Sequence, residues 1–184
     1  MKSFDSTTGE STWITPPELQ KTLGEFDLDP CAADDMPYWT ATRMVTKSED
    51  GLKVDWTGER VWLNPPYGRF IVPFLERMHK GIALLPVRTD CKWFHELVAK
   101  RADALFFLKG RVRFIDKNGR KAGSPAFASM LVSYTAEDTE AIRKSGLLGV
   151  LFKGACGCPR TSAAERRVPG PARERHGLRA RSPG

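Results

Sequence analysis

Short apolar runs that alternate with segments of helical periodicity are the feature that most constrains the fold of this chain. The run at 81–86, Gly-Ile-Ala-Leu-Leu-Pro, has the length and apolar character of a central parallel strand. Further strands are predicted at 26–29, 43–46, 61–63, 104–108, 111–115, 127–134 and 147–152, and helices at 15–23, 70–80, 92–100 and 136–145. This alternation predicts an α/β fold in which a mostly parallel sheet carries helices on both faces.

Residues 155–184 differ in composition from the rest of the chain. They contain seven arginines and two glutamates, so they carry +5 of the formal charge of +7 and leave +2 for residues 1–154. Large apolar side chains are almost absent, so burial cannot offset the entropy of ordering this segment. We predict a flexible leader at 1–10, a folded domain at 11–154 and a disordered basic tail at 155–184. Whether the tail binds phosphates or is only solvated stays open.

Cysteine spacing and hydropathy disfavour several classes of protein. Cys31, Cys91, Cys156 and Cys158 lack the paired CxxC spacing of a zinc site, so we expect reduced thiols and no metal. No apolar run approaches the roughly 20 residues that span a bilayer. The polar N-terminus has no signal-peptide core. We expect a cytoplasmic protein without a membrane partner, either a monomer or a weak dimer.

The segment 62–68, Trp-Leu-Asn-Pro-Pro-Tyr-Gly, carries the chemistry. A strand delivers Asn64 to the carboxyl edge of the sheet, where open α/β folds bind ligands. Pro65 and Pro66 lack N–H groups and restrict φ, which stiffens the turn. The Asn64 side-chain oxygen and the Pro65 carbonyl are two acceptors for the hydrogens of an exocyclic amine, and Tyr67 follows to stack on an extruded base. This pattern is typical of amino-methyltransferases, although a purely structural proline turn is the alternative.

Companion segments make the pattern more specific. They are Trp13 with 15–19, 26–32, 50–52 with Trp56, 61–68, 84–90 with 93–94, and 110–114. In this order, over roughly residues 11–153, they resemble the phage-type DNA N-6-adenine-methyltransferase (Dam) family. The resemblance implies a single Rossmann-like class I methyltransferase domain. It also implies site-specific methyl transfer from S-adenosylmethionine to a flipped adenine of double-stranded DNA, in a phage or prophage protein of a bacterial host, with protection from restriction as a conceivable role.

The resemblance also implies which residues bind the cofactor. They belong to a Thr-Pro-Pro element, an acidic-Pro turn after the first strand, and an acid before the catalytic strand. Each has a structural alternative, because Thr15 suits a helix N-cap and Asp29 and Asp50 suit turns. A glycine-rich phosphate loop is absent, which disfavours NAD or ATP more than S-adenosylmethionine. The candidates are Thr15, Pro16, Asp29, Pro30, Cys31, Ala32 and Asp50, with Asp55 as the alternative to Asp50.

DNA recognition is expected from loops, because no separate recognition domain is visible. The segment 111–124 is rich in Arg and Lys, and Arg reads purine edges while Lys mostly meets phosphate. A solvated hairpin is the alternative, and Arg88 is alternatively part of a structural ion pair with Asp90. Phe70 or Phe114 is expected to form a second wall of the base pocket. The DNA-binding candidates are Arg88, Arg111, Arg113, Lys117, Arg120 and Lys121.

Two other functions remain open at this point. The same acceptor geometry serves methyl transfer to cytosine N4 of DNA, adenine N6 of RNA, or a protein glutamine. The second alternative is a catalytically silent DNA-binding remnant, with which the unusual composition of 155–184 is compatible. An assay with labelled cofactor on DNA, RNA and protein distinguishes them.

Overall fold

The computed structural model describes residues 14–123 and 127–154. The predicted leader at 1–10, Trp13 and the predicted tail at 155–184 lie outside these residues. The described ranges contain nine strands, and the predicted bounds of four of them coincide with the observed ones. The strands are β1 (Leu28–Ala32), β2 (Arg43–Thr46), β3 (Val61–Leu63), β4 (Gly81–Pro86), β5 (Ala104–Leu108), β6 (Phe114–Ile115), β7 (Lys121–Gly123), β8 (Ser129–Ser133) and β9 (Gly149–Lys153).

Helical segments are shorter than the periodicity predicts. The helices are α1 (Pro17–Lys21), α2 (Ile71–Arg77) and α3 (Ala136–Lys144), with a 3-10 turn at Gly68–Phe70 and a π-helical turn at Phe94–Val98. At the start of α3, the Thr135 hydroxyl accepts a hydrogen bond from the Asp138 amide at 3.2 Å. No helix in the described part of the chain is long and apolar enough to cross a bilayer.

Seven strands form one sheet in the order β2-β1-β3-β4-β8-β5-β9. β1 runs parallel to β2 and β3, and β3 runs parallel to β4. β8 is antiparallel to β4 and β5, and β9 is antiparallel to β5. The sheet is therefore mixed, with three parallel and three antiparallel pairs, and is not the mostly parallel sheet predicted.

The missing helix between β5 and β8 explains this difference. A parallel neighbour requires a crossover connection, whereas an antiparallel strand returns directly from the edge where the previous strand ended. The chain leaves β5, forms the small antiparallel hairpin β6–β7, and re-enters the sheet as β8. The sequence predicts a strand at 111–115 followed by a loop, so β7 was not predicted.

Side chains alternate between the two faces of the sheet, and helices cover both. On one face, Leu63 and Leu85 pack in a cluster with side chains of α2 and the π-helical turn. On the other face, Trp62 and Leu84 pack with side chains of α1 and α3. Each of these four residues is at most 1% exposed. Burial on both faces holds the central strands rigidly, which fixes the positions where the loops at their carboxyl ends begin.

Deleting residues 155–184 should leave folding unchanged, because their composition supplies almost no apolar surface to bury. We expect the shortened chain to keep a single cooperative thermal transition with the Tm of the full-length protein, measured by differential scanning calorimetry. Loss of cooperativity, or a clear fall in Tm, would show that the tail packs on the domain.

Candidate active site

The Asn64-Pro65-Pro66-Tyr67 turn lies at the carboxyl edge of the sheet, directly after β3. Because β1, β3 and β4 are parallel, their carboxyl ends meet at this edge. Asn64 is half-buried, Pro65 is buried and Pro66 is exposed, so the turn reaches the surface. The backbone is thus anchored on its inner side while its outer side is accessible to a ligand.

Thr15 and Asn64 are 49 positions apart in sequence and in contact in the structure. The Asn64 Nδ2 group donates a hydrogen bond to Thr15 Oγ1 at 3.3 Å. Pro16, not Thr15, is the N-cap of α1, so the N-cap explanation of Thr15 is wrong. Thr15 is 3% exposed and its hydroxyl faces the predicted catalytic residue. The Thr-Pro-Pro element and the tetrapeptide are therefore in direct contact.

The hairpin β6–β7 is attached to the chain at Ile14, next to Thr15. Ile14 and Ile115 exchange backbone hydrogen bonds of 3.0 and 2.9 Å. Tyr38 adds a further link, because its hydroxyl donates to the Thr15 carbonyl. Thr15 is consequently held from two sides, by a hairpin after β5 and by the loop after β1.

Asp29 supports that loop from within the protein. Its carboxylate accepts hydrogen bonds from the Thr40 hydroxyl at 2.5 Å and from the Cys31 amide at 2.9 Å. Gln20 of α1 in turn donates to the Thr40 carbonyl at 2.7 Å. Asp29 is 4% exposed, and its carboxylate makes these internal contacts. Tyr38, Thr40 and Gln20 were missed by sequence analysis, because no local pattern marks a residue that bonds to a distant strand.

Burial shapes the acid–base properties of this edge. Desolvation raises the pKa of Asp29 to about 6, although the hydrogen bonds from Thr40 and Cys31 lower it. Burial, followed by the charge of Asp29, raises the pKa of the Cys31 thiol well above its ordinary value. Cys31 is therefore a protonated, unreactive thiol at neutral pH. Cys31 is half-buried, whereas Ala32 beside it is buried.

Gly51, which follows Asp50, brings the Asp-Gly turn into backbone contact with Pro30. A Cβ atom on Gly51 would lie 1.9 Å from the Pro30 carbonyl oxygen, so the two backbones are in direct contact. Asp50 adopts a left-handed φ of 62° and accepts a hydrogen bond from the Leu52 amide at 3.2 Å. The Asp-Gly turn thus packs against Pro30, which lies within β1 (Leu28–Ala32), so the prediction that Asp29, Pro30, Cys31 and Ala32 form a turn after the first strand is wrong.

Asp55, the alternative to Asp50, lies elsewhere. It lines a cleft of about 460 Å³ with residues that precede β3 and β4, at the amino ends of these strands. A second cleft of about 540 Å³ lies at the amino ends of β1 and β2. Neither cleft is lined by a residue of the tetrapeptide turn. The position of Asp55 therefore favours Asp50 as the candidate.

The aromatic candidates for the base pocket differ in their exposure to solvent. Phe114 is 1% exposed and belongs to the core, so its prediction as a wall of the base pocket is wrong. Phe70, three residues beyond the turn, is 52% exposed and remains available. The Tyr67 ring is half-buried, and its enclosed hydroxyl has no hydrogen-bond partner in the described part of the chain. Burial also raises the pKa of Tyr67, which keeps it neutral.

Arg88 forms the ion pair that sequence analysis considered as an alternative role. Its guanidinium donates to both carboxylate oxygens of Asp90 at 2.9 Å and lies 5.0 Å from the centroid of the Phe127 ring. Hydrogen bonding to Arg88 lowers the pKa of Asp90. This exposed pair follows β4, at the same edge as the turn. Stacking on Phe127 holds the guanidinium plane in a defined orientation.

The other basic candidates lie on and around the hairpin. Asp116 shapes the turn at its tip, accepting hydrogen bonds from the backbone amides of Asn118 and Arg120. Lys117 is 3.6 Å from Asp35 and so links the tip to the loop after β1. These contacts place a basic hairpin over the carboxyl edge. Arg111, Arg113 and Arg120 are exposed, and Lys121 begins β7.

Within residues 14–123 and 127–154, no group of three His, Cys, Asp or Glu side chains is arranged to hold an ion. The oxygen acceptors at the turn are an amide and a carbonyl, which suit a hydrogen-bonding amine.

Asp29→Asn should change the pH dependence of stability. The folded-state pKa of about 6 exceeds the ordinary value of 3.8, so protonated Asp29 is favoured by folding. Its contribution is fully present below about pH 4 and is lost as the pH rises through 6. Between pH 4 and pH 7, the free energy of unfolding of the wild type should therefore fall by roughly 2 kcal/mol relative to that of Asp29→Asn, which has no titrating group at this position. Urea denaturation at both pH values measures this, and a difference independent of pH would contradict it.

Gly51→Ala should destabilise the protein because the new methyl group collides with backbone. We expect a loss of about 3 kcal/mol in the free energy of unfolding, measured by chemical denaturation. Gly119→Ala is the control, since a Cβ there meets no atom within 4 Å and only its φ of 73° is strained. That variant should lose about 1 kcal/mol. Equal losses in the two variants would show that the contact with Pro30 is not tight.

Comparison with known proteins identifies a family for this chain. The family model described as DNA N-6-adenine-methyltransferase (Dam) matches residues 5–145, a range that includes the turn, Thr15 and the hairpin. No curated protein and no solved structure matches the chain. Since the matched range covers well over half of its length, the chain belongs to the DNA N-6-adenine-methyltransferase (Dam) family.

Proposed function

We propose that this protein transfers a methyl group from S-adenosylmethionine to N6 of a flipped adenine at specific sites in double-stranded DNA. The observation that carries the proposal is the Asn64-Pro65-Pro66-Tyr67 turn at an accessible carboxyl edge, in contact with Thr15. Family membership supports an adenine substrate in DNA over cytosine, RNA or protein. The phage or prophage origin and a role in protection from restriction belong to this proposal as well.

The turn acts on the amino group of the base. In adenine, the N6 lone pair is delocalised into the ring and is a poor nucleophile. Asn64 Oδ1 and the Pro65 carbonyl accept hydrogen bonds from the two N6 hydrogens and so favour a pyramidal nitrogen. Because both acceptors sit on one proline-stiffened turn, they are oriented before the reaction and stabilise the positive charge that develops on N6. A cofactor held beside the turn would supply the methyl group to N6 as the bond from the methyl carbon to sulfur breaks, and the methylated nitrogen would then lose one proton to solvent.

Aromatic side chains hold the extruded base beside these acceptors. Tyr67 follows the acceptors directly, and Phe70 presents half of its surface to solvent on the 3-10 turn. Stacking is worth about 1–3 kcal/mol per base, which offsets part of the energy lost when the base leaves the duplex. We assign the base pocket to these two rings.

The proposed cofactor site lies where the Asp-Gly turn packs closely against β1, at the same edge of the sheet. When bound, S-adenosylmethionine supplies an electrophilic methyl group on a sulfonium. The absence of a Cβ at Gly51 lets the Asp-Gly turn contact the Pro30 backbone directly, which brings Asp50 close to β1 at the edge where we propose that the cofactor binds. Asp50 is the acid expected at the ribose-adenine part. The residues that would hold the cofactor are Thr15, Pro16, Asp29, Pro30, Cys31, Ala32 and Asp50, with Asp29 acting through the loop it supports.

DNA contacts are assigned to the basic side chains around the site. The hairpin β6–β7 is tied to Ile14, next to Thr15, so its arginines approach the duplex from which the base is taken. Arg88 reaches the duplex on the other side of the edge after its exposed pair with Asp90 opens. Such exposed pairs are weak, so their loss costs little on binding. The assigned residues are Arg88, Arg111, Arg113, Lys117, Arg120 and Lys121.

Sequencing of modified bases in the genome of an expressing host tests the activity, the base and the target site together. We expect N6-methyladenine within one short sequence. A parallel assay with methyl-labelled S-adenosylmethionine on unmethylated DNA, RNA and protein identifies the acceptor. Label in cytosine, RNA or protein would overturn the assignment. Cofactor binding without any transfer would favour a silent DNA-binding remnant.

Asn64→Ala removes the side-chain acceptor and should lower kcat by about a hundredfold or more, as loss of one charge-stabilising hydrogen bond does elsewhere. Binding of S-adenosylmethionine, measured by calorimetry, should stay close to that of the wild type, because the loops after β1 and β2 are untouched. Wild-type turnover in this variant would show that Asn64 is not the acceptor.

A further inference from the structure

We propose that Thr15 is a positioning residue that sets the orientation of the Asn64 carboxamide. The inference rests on the proposed function, in which Asn64 must present its oxygen to the substrate amine. It assigns to the Thr15 hydroxyl a role separate from the cofactor contact proposed above, which Thr15 would make through its other atoms. The observation behind it is the Asn64 Nδ2 to Thr15 Oγ1 hydrogen bond of 3.3 Å across 49 positions of sequence.

A carboxamide has a donor end and an acceptor end that are nearly identical in shape. Rotation by about 180° exchanges them, and then –NH2 would face the substrate amine, where it repels rather than binds. In the structure the nitrogen is directed at Thr15 Oγ1, so Oδ1 points away from Thr15. The contact in which the Thr15 hydroxyl oxygen accepts from Nδ2 therefore holds the carboxamide in the productive orientation before the base arrives.

Thr15 is itself held firmly enough to serve this purpose. It is 3% exposed, and the residue before it exchanges two backbone hydrogen bonds with Ile115. The Tyr38 hydroxyl donates to the Thr15 carbonyl, and Pro16 follows with a fixed φ of −64°. The Thr15 hydroxyl is thus placed by the hairpin, by the loop after β1 and by the start of α1.

The same contacts join DNA recognition to chemistry. The bridge between Ile14 and Ile115 connects the basic hairpin to the residue that orients Asn64. Movement of the hairpin on DNA would be transmitted to Thr15 over one residue of backbone. Positioning by Thr15 therefore predicts an effect on turnover more than on binding of either substrate.

Thr15→Val and Thr15→Ser test the role, because valine keeps the shape and loses the hydroxyl while serine keeps the hydroxyl. Thr15→Val should lower kcat by about tenfold, with little change in the Kd of S-adenosylmethionine or the KM for DNA. Thr15→Ser should recover most of that loss. Thr22→Val is the matched control, since the Thr22 hydroxyl bonds to the Leu19 carbonyl, away from the site.

A spectroscopic readout makes the test independent of activity. The chain contains only two asparagines, Asn64 and Asn118, so protein labelled with 15N-asparagine gives two side-chain amide pairs. Asn118→Ala assigns them. Thr15→Val should shift the Asn64 pair, Thr15→Ser should shift it less, and Thr22→Val should leave it in place.

A double-mutant cycle tests whether Thr15 acts through the Asn64 carboxamide. Asn64→Asp makes both ends of the side chain oxygens, so Thr15 has no orientation left to set and the effect of Thr15→Val on kcat should be smaller in that background, even though the Thr15 hydroxyl can donate to the carboxylate. The inference is overturned if Thr15→Val leaves the Asn64 signals unmoved, or if its lost turnover is matched by weaker cofactor binding. Absence of DNA methylation by the wild type would instead refute the proposed function, while the amide spectra would still decide the contact.

Discussion

Parallel pairing of β1, β3 and β4 is the constraint on which the site depends. Parallel strands end on the same side, so loops that are far apart in sequence meet at one edge. Leu28 pairs with Val61, and this register brings Asp29 and Pro30 of β1 beside the end of β3. Helices packed on both faces keep these strands from sliding. The tetrapeptide, the Thr-Pro-Pro element and the Asp-Gly turn are thereby brought to one edge of the sheet.

The elements that could be predicted from sequence are those specified by local burial. β3 and β4 are buried along their whole length, and their apolar runs begin and end where the strands do. Strand direction was not predictable in the same way, because it depends on the connection. The sequence between β5 and β8 lacks a helical pattern, which indicates an antiparallel return. β7 itself was not predicted, because it is a short strand without an apolar run.

The site shows the same division between local and distant information. The stiffness of the proline turn and its place after a strand follow from adjacent residues. Partners such as Tyr38 and Thr40 bond to segments more than ten positions away, and nothing near them in sequence records this. Asp29 illustrates the point, since its role in supporting the loop from within becomes visible only when Thr40 is seen against it.

The position of β8 between β4 and β5 has a consequence for the newly made chain. Residues 28–86 supply four adjacent parallel strands in succession, but β5 is synthesised before the strand that joins it to them. Until residue 133 has left the ribosome, the open side of β4 presents unpaired backbone groups and β5 has no place in the sheet. An exposed strand edge of this kind is a template for pairing with other chains. Pauses in translation just after β5 would therefore be more hazardous to this protein than pauses elsewhere.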